Sequence, residues 1–449
     1  MISPDGEKMI KNHKFTLTSS RVIIFGFAGL IIAATIMLSL PISSASGGVT
    51  PLIDAAFTAT SATCVTGLIT NDTATYWSPF GQVLILILIQ IGGMGVVTVA
   101  IGLSRISGKK IGLLGRSFMQ ESISAPRLGG IMKFTGFIVI TALSVELLGA
   151  LLLLPSFCTE FGVKGIWYSF FHSVSAFCNA GFDVMGHRGK FSSLTSLKSD
   201  ISVNIVIILL IIIGGIGFAT WNDIKTYGFK FRKYSLQSRV ILVATAIFIL
   251  IPAVYFFFAE FEGMKGTDRV LASIFQSVTL RTAGFNTVDF SNLKDASLGI
   301  MIVFMLIGGA PGSTAGGMKV TTVVVLFYSA FSVFRRKKEV NISNRSIDDE
   351  NVKTAAAIFM MYITLFFIGG VMISMYDNIP LKNCLFETAS AIGTVGLTTG
   401  ITTGLSSFSK CILIFLMYIG RVGGLTVVFA AAKSSLTGAK LPLEKITVG

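Results

Sequence analysis

Long apolar runs alternate with short polar segments along the whole chain. Val22–Leu40, Ile201–Ile213, Val240–Phe258 and Ile358–Ser374 approach the ~20 residues that cross about 30 Å of hydrocarbon, so they predict membrane-spanning helices. A basic start (Lys8, Lys11, Lys14, Arg21) and small residues after it (Ser43, Ser44, Ala45) make the first run resemble a signal peptide. Its apolar stretch exceeds the about 7–15 residues of a signal h-region and many spans follow, so it is expected to be kept as a helix.

Between the long runs, one pattern occurs four times: FTATSATCVTGL (57–68), FHSVSAFCNAGF (171–182), IFQSVTLRTAGF (274–285) and FETASAIGTVGL (386–397). Each is a small and polar stretch closed by a glycine and then Leu or Phe. The glycines Gly67, Gly181, Gly284 and Gly396 are 114, 103 and 112 residues apart. An apolar helix with its own glycine cluster follows each one: QIGGMG (90–95), IIGGIG (212–217), LIGGAPG (306–312) and YIGRVGG (418–424). The segments 51–63, 166–177, 268–280 and 381–392 are too short to cross a membrane and fit re-entrant helices. Start signals agree: Thr50-Pro51 with Asp54 in the first turn, Thr267-Asp268, and Pro380.

The expected fold is therefore an all-α integral membrane protein of four tandem helix–pore-helix–filter-loop–helix repeats around a pseudo-fourfold pore. The repeats are read as 1–105, 106–222, 223–335 and 336–449. Eight transmembrane helices are expected near 22–40, 79–103, 134–155, 200–221, 238–259, 296–330, 353–375 and 408–430, with both termini on one side. The sixth contains GGAPGSTAGG and is expected to break in the middle.

Composition fits lipid as solvent: of 449 residues 52% are hydrophobic and 13% charged, and the mean hydropathy is +0.78. The net charge of +14 suggests nucleic acid only until its distribution is read. The N-terminus, the three loops joining repeats and the C-terminus hold 24 of the 36 Lys and Arg; the opposite loops hold nine. The charge thus reports orientation, with a surface for acidic lipid or a cytosolic partner, and no nucleic acid is required. Five scattered cysteines, without C-x-x-C pairs or histidines at ligand spacing, imply neither a zinc site nor a disulfide framework.

Four re-entrant loops need a shared aqueous axis, because irregular backbone at membrane depth must be buried in protein or wetted. Glycine adopts positive φ without a Cβ clash, so successive carbonyls can turn toward that axis and replace the hydration shell of an alkali cation. The negative C-terminal ends of the short helices favour a cation there. The filter candidates are Cys64, Val65, Thr66 and Gly67; Cys178, Asn179, Ala180 and Gly181; Thr282, Ala283 and Gly284; and Gly393, Thr394, Val395 and Gly396. None is acidic. Helix packing explains isolated glycines such as Gly26, Gly29 and Gly149, but not four that recur with the same neighbours.

These motifs resemble the Trk/Ktr/HKT superfamily of potassium transporters, most closely its Ktr-type (KtrB/KtrD-like) membrane subunits, over essentially the whole chain; TCVTGL, FCNAGF, LRTAGF and GTVGL carry the likeness. The resemblance implies potassium (K+) as the transported ion, sodium (Na+) as a candidate activator, one complete pore per chain and a homodimer. It also implies a cytosolic nucleotide-binding regulatory ring of RCK type (KtrA/KtrC-like), with no nucleotide bound by this chain itself. The implied setting is lipid, a multi-pass protein of the bacterial plasma membrane with both termini cytoplasmic. One glycine per repeat serves as the filter in that family, and these carry over to Gly67, Gly181, Gly284 and Gly396.

The interruption at 308–319 is the candidate gate: Gly308, Gly309, Ala310, Pro311, Gly312, Ser313, Thr314, Ala315, Gly316 and Gly317 break helical hydrogen bonding beneath the filter. The family resemblance implies the same role. Gly312–Gly317 matches G-x-x-x-x-G, but Met318 and the absence of a flanking strand argue against a phosphate loop. Arg421, at membrane depth, is expected to bind carbonyls of that loop, with pairing to Glu146 as the structural alternative. Lys319 is expected to snorkel to the cytoplasmic interface. Arg281 is read as filter support, bracing the filter from behind on its carbonyls. His172 reads as packed rather than as a metal ligand. The charged stretch Phe331–Lys353 is solvated and also a docking surface for a regulator.

Two other classes fit less well. A membrane enzyme would need convergent acids, histidines or a metal site, and three histidines without clustered intramembrane carboxylates do not supply them. A proton-coupled transporter would show inverted repeats and buried proton carriers, whereas these four repeats run the same way.

Overall fold

A computed structural model of the chain describes residues 18–96, 98, 99, 112–122, 129–290, 293–337, 339–424 and 426. Lys8, Lys11, Lys14, Lys338, the C-terminal basic segment and the far ends of the spans expected at 79–103 and 408–430 lie outside the described residues.

The fold is mainly helical. Its elements are α1 (Ser19–Ser39), α2 (Leu52–Thr63), α3 (Pro79–Met94), α4 (Leu113–Ser122), α5 (Ile131–Phe161), α6 (Lys164–Phe177), α7 (Ile201–Gly215), α8 (Phe218–Tyr227), α9 (Leu236–Tyr255), α10 (Gly266–Thr279), α11 (Asp295–Leu306) and α12 (Val320–Phe334). After them come the hairpin strands β1 (Val340–Ile342) and β2 (Arg345–Ile347), then α13 (Asp349–Asp377), α14 (Leu381–Gly393) and α15 (Ser407–Val422). The antiparallel β1–β2 pair, with Val340 opposite Ile347, departs from an all-helical chain.

Helices divide into three kinds according to what surrounds them. Ser20–Ser39, Ile131–Phe161, Leu236–Glu260 (α9 with its π-helical end) and Asp349–Asp377 are long and apolar enough to cross a membrane. Their outward residues are bare hydrocarbon, among them Phe25, Ile32, Leu147, Leu151, Ile247, Leu250, Phe367 and Met375. Lipid is the solvent that such a face fits.

The four short helices α2, α6, α10 and α14 lie close to the expected segments and are nearly enclosed. Phe57, Phe171, Phe275 and Phe386, at or near the start of each repeated motif, are all at most 1% exposed and pack in the two main cores. Each short helix is also tied near its start to the second helix of the preceding repeat, or to the turn leading into it. Trp167 donates to Gln82 (3.0 Å), Ser199 to Asp268 (2.9 Å), Lys382 to Asp295 (2.7 Å) and Lys410 to Asp54 (2.8 Å). The last tie joins the final repeat to the first and closes the circle.

Two of the second helices of the repeats are each broken within one expected span. The span expected at 200–221 is two helices, α7 and α8, bent by 97°. Gly217 sits at the elbow with φ +88°, where a right-handed helix cannot continue. The sixth span is broken as expected, into α11 and α12 with the 308–319 loop between them.

Candidate functional site

Each short helix ends three to five residues before its glycine, and the backbone that follows has one shape in all four repeats. The residue two before the glycine is left-handed (Val65 φ 57°, Asn179 57°, Thr282 64°, Thr394 51°), and the glycine itself has positive φ (Gly67 97°, Gly181 68°, Gly284 81°, Gly396 95°). A non-glycine residue held there costs energy, so four in register mark a built feature rather than chance.

The four glycines meet. A Cβ on Gly67 would lie 3.2 Å from the Cα of Gly181, one on Gly181 2.8 Å from Gly284, one on Gly284 3.3 Å from Gly396, and one on Gly396 2.9 Å from Gly67. They therefore form a closed ring in chain order. The carbonyl oxygens of Ala180, Ala283, Val395 and Thr66 lie in the space those Cβ atoms would need, so a side chain at any of the four would collide with backbone. Above the ring is a small vestibule of about 140 Å³, lined by the four glycines with Asp183, Asn286, Thr398 and others.

Below the ring lies the 308–319 loop. It leaves α11 at Ile307 and returns beside itself, with Gly308 N–H on Met318 O (2.7 Å) and Val320 N–H on Gly309 O (3.0 Å). On one side it is held by the α7–α8 elbow, through Ala310 N–H to Gly215 O (3.0 Å) and Phe218 N–H to Gly312 O (2.7 Å), and by the end of α6, through Thr314 Oγ1 to Phe177 O (3.0 Å). On the other side, Gly317 N–H reaches Gly420 O (3.2 Å), and Gly316 abuts Thr394 so closely that no Cβ fits.

Arg421 is nearly enclosed by carbonyls. Its guanidinium donates to Thr314 O of the loop, to Gly92 O, and to Gly93 O (3.0 Å). Glu146 is not its partner; that carboxylate accepts from Gln90 Nε2 at 2.9 and 3.1 Å. Lys319 does not reach for an interface either: its ammonium caps the loop's own Ala315 O (2.8 Å) and Gly316 O (3.4 Å). A cavity of about 620 Å³ opens beneath, lined by Pro311, Gly312, Ser313, Lys319 and Arg421 among others.

Arg281 differs from its expected contact. Its side chain turns outward to Thr245 Oγ1 on α9 (3.3 Å), so it ties the third loop to a surrounding helix instead of gripping the loop's carbonyls. His172 packs against Phe157 (5.1 Å between ring centroids), with Nδ1 against Tyr168 O (2.8 Å). Among the described residues no group of His, Cys, Asp and Glu could hold a metal ion.

Several site residues went unremarked in the sequence. Glu387 on α14 accepts from Thr398 Oγ1, Thr399 N–H (3.1 Å) and Thr402 Oγ1 (2.8 Å), holding the segment after Gly396. Asp72 likewise ties Ala74, Thr75 and Phe191 together. Asp183 lines the vestibule, where burial, joined by the nearby Asp72 charge, pushes its carboxyl up to about 7 against the Met185 N–H bond. An isolated acid in an otherwise neutral motif was the available signal for Glu387.

Four enclosed loops meeting in one ring, set among long apolar helices, define a multi-pass helical membrane protein with a single central site. Residues 11–438 match the family model described as TrkH, cation transport protein. The chain is 38% identical to the potassium/sodium uptake protein NtpJ of Enterococcus hirae, across 98% of this chain and 99% of that one. It is also 38% identical to the Ktr system potassium uptake protein B of Bacillus subtilis, across 99% of each. The crystal structure of the potassium transporter TrkH from Vibrio parahaemolyticus superposes with a TM-score of 0.72 at 18% identity, covering 94% of this chain and 87% of that one, which bears on the fold. The chain belongs to the TrkH/Ktr family of cation transporters, which are not enzymes.

Proposed function

We propose that this chain is the ion-translocating subunit of a Ktr-type potassium uptake system, passing K+ through the ring of Gly67, Gly181, Gly284 and Gly396. The observation that carries the reading is the closed ring itself, with four backbone carbonyls beside the glycines at the buried ends of four short helices. Carbonyl oxygens replace water around an alkali cation, and the helix C-termini add negative potential. Relatives named as potassium or potassium/sodium uptake proteins support K+ as the ion; Na+ is the candidate activator. The rest of the filter comprises Cys64–Thr66, Cys178–Ala180, Thr282–Ala283 and Gly393–Val395, with Arg281 as its support.

The 308–319 loop, locked by Arg421, is the gate. The arrangement is eight spans in four repeats, with the shorter α3 and α15 and each broken helix taken as one crossing, and with boundaries near 105, 222 and 335. Because one chain closes the ring, a homodimer and a cytosolic nucleotide-binding regulatory ring serve control rather than pore formation. The cytoplasmic β1–β2 segment is the docking surface, and both termini lie on that side of the bacterial plasma membrane.

The test is growth of a potassium-uptake-deficient bacterium on low potassium, with rubidium uptake as readout and a regulatory partner supplied. Gly284→Ser and Gly396→Ser should lower the Rb+/Na+ uptake ratio by roughly tenfold, the scale of ~1.4 kcal/mol. Deleting 310–317 should leave that ratio intact and raise leak. No rescue by the parent chain sinks the reading.

A further inference from the structure

Four hydroxyls on the short helices sit behind the loops: Ser61, Ser175, Thr279 and Ser390, each at most 1% exposed. They are used in two ways. Ser61 Oγ accepts from Gly67 N–H and Ser390 Oγ from Gly396 N–H, both at 3.0 Å. Ser175 Oγ instead donates to Phe182 O (2.7 Å) and Thr279 Oγ1 to Phe285 O (2.5 Å), each the carbonyl of the residue after the glycine.

Peptide planarity converts these bonds into directions. In a trans peptide the C=O points opposite to the N–H. The backbone carbonyls of the same four residues take the N–H of the residue before each glycine: Thr66 and Val395 at 2.8 Å, Ala180 at 2.8 Å and Ala283 at 3.0 Å. That turns the carbonyls of Val65, Asn179, Thr282 and Thr394 away from the helix. In the first and fourth loops the serine Oγ then holds the next amide as well, which turns Thr66 O and Val395 O the same way. One serine therefore orients two successive carbonyls. In the second and third loops the hydroxyl holds instead the carbonyl of the residue after the glycine, at the outer end of the loop, and does not bond the glycine amide.

We propose that Ser61 and Ser390 are positioning residues that set ion selectivity by aiming the Thr66 and Val395 carbonyls, whereas Ser175 and Thr279 fix only the outer mouth. The proposal rests on the reading of the glycine ring as the filter. It assigns unequal work to hydroxyls that the aligned repeats present as equivalents.

The experiment measures Rb+ and Na+ uptake by the full-length chain in cells, normalised to membrane content, for Ser61→Ala, Ser390→Ala, Ser175→Ala and Thr279→Val. Losing one hydrogen bond to the filter amide is expected to lower the Rb+/Na+ ratio about fivefold in Ser61→Ala and Ser390→Ala. Ser61→Thr and Ser390→Thr keep the oxygen and should restore most of it. Ser175→Ala and Thr279→Val should shift the half-saturating Rb+ concentration and leave the ratio within about twofold. An unchanged ratio in both alanine variants, or an equal fall in all four, overturns the proposal. Gly284→Ser run in parallel separates the two failures: if it too leaves the ratio unchanged, the filter reading falls; if only the serine variants do, the hydroxyl assignment falls alone.

Discussion

In the first, second and fourth repeats the second helix carries two glycines three residues apart, and in the third repeat the second of these is a proline. Gly92, Gly214 and Gly420 abut the end of a short helix so closely that a Cβ would overlap the carbonyl oxygen of Thr63, Phe177 or Ile392. Three residues on, Gly95, Gly217 and Gly423 end the helix with φ of +86°, +88° and +87°. In the third repeat the same register holds Gly308 and Pro311. Proline's ring fixes φ near −65°, so the exit used by the other three is closed to it. Gly308 meets not a short helix but the returning loop, at Gly316 O. The lesson is that one departure from a repeat can turn a packing site into a seat for a separate element, while the other three repeats keep the ring closed around it.

The largest expected effect tests that contrast directly. Gly214→Ala and Gly420→Ala force a Cβ onto backbone that anchors a glycine loop, an overpacking cost of ~1–3 kcal/mol or more. Both are expected to abolish Rb+ uptake and reduce membrane content. Gly308→Ala presses on the loop instead, so the Rb+/Na+ ratio should survive while leak rises. If Gly308→Ala behaves like Gly420→Ala, the distinction between the repeats is wrong.

Next in size is Arg421→Gln. It removes charge-assisted bonds that reach both the loop (Thr314) and the first repeat (Gly92, Gly93), each worth ~1.5–3 kcal/mol. Rb+ efflux from loaded vesicles without a regulator is expected to rise about tenfold. Efflux equal to that of the parent chain would mean that the arginine does not hold the loop closed.

The smallest effect separates the second repeat from the others at the mouth. Two residues past the glycines stand Ile69, Asp183, Asn286 and Thr398, of which only Asp183 ionises. With its carboxyl raised to about 7 by burial, it is neutral below that pH and negative above it. The half-saturating Rb+ concentration should therefore fall about two- to threefold as pH rises from about 6 to about 8, since a negative vestibule concentrates cations. Asp183→Asn should flatten the profile; a slope that persists in that variant assigns the titration elsewhere.

Much of this was legible along the chain. The start of α2 matches its expected boundary to one residue, because Pro51 and Asp54 encode a helix start locally. The broken sixth span was equally plain, since five glycines and a proline cannot hold a helix together. Arg421 could be recognised as needing carbonyl partners, because a buried guanidinium has few other solutions. By contrast, the 97° elbow after α7 was invisible: IIGGIGFATW reads as a continuing apolar helix, and nothing local says that Gly217 will take positive φ. Arg281 pointed the wrong way for the same reason, as only the position of α9 offers it Thr245.

Local chemistry alone determined which segments are long and apolar, which are short, and where four glycines recur, because helix signals, apolar length and glycine's freedom at φ each depend on a few neighbouring residues. Tertiary structure decided that Gly396 closes on Gly67, that Lys410 meets Asp54 across 356 residues, and that near-identical hydroxyls take opposite roles. Those outcomes depend on contacts between residues far apart in the chain, which no local signal encodes.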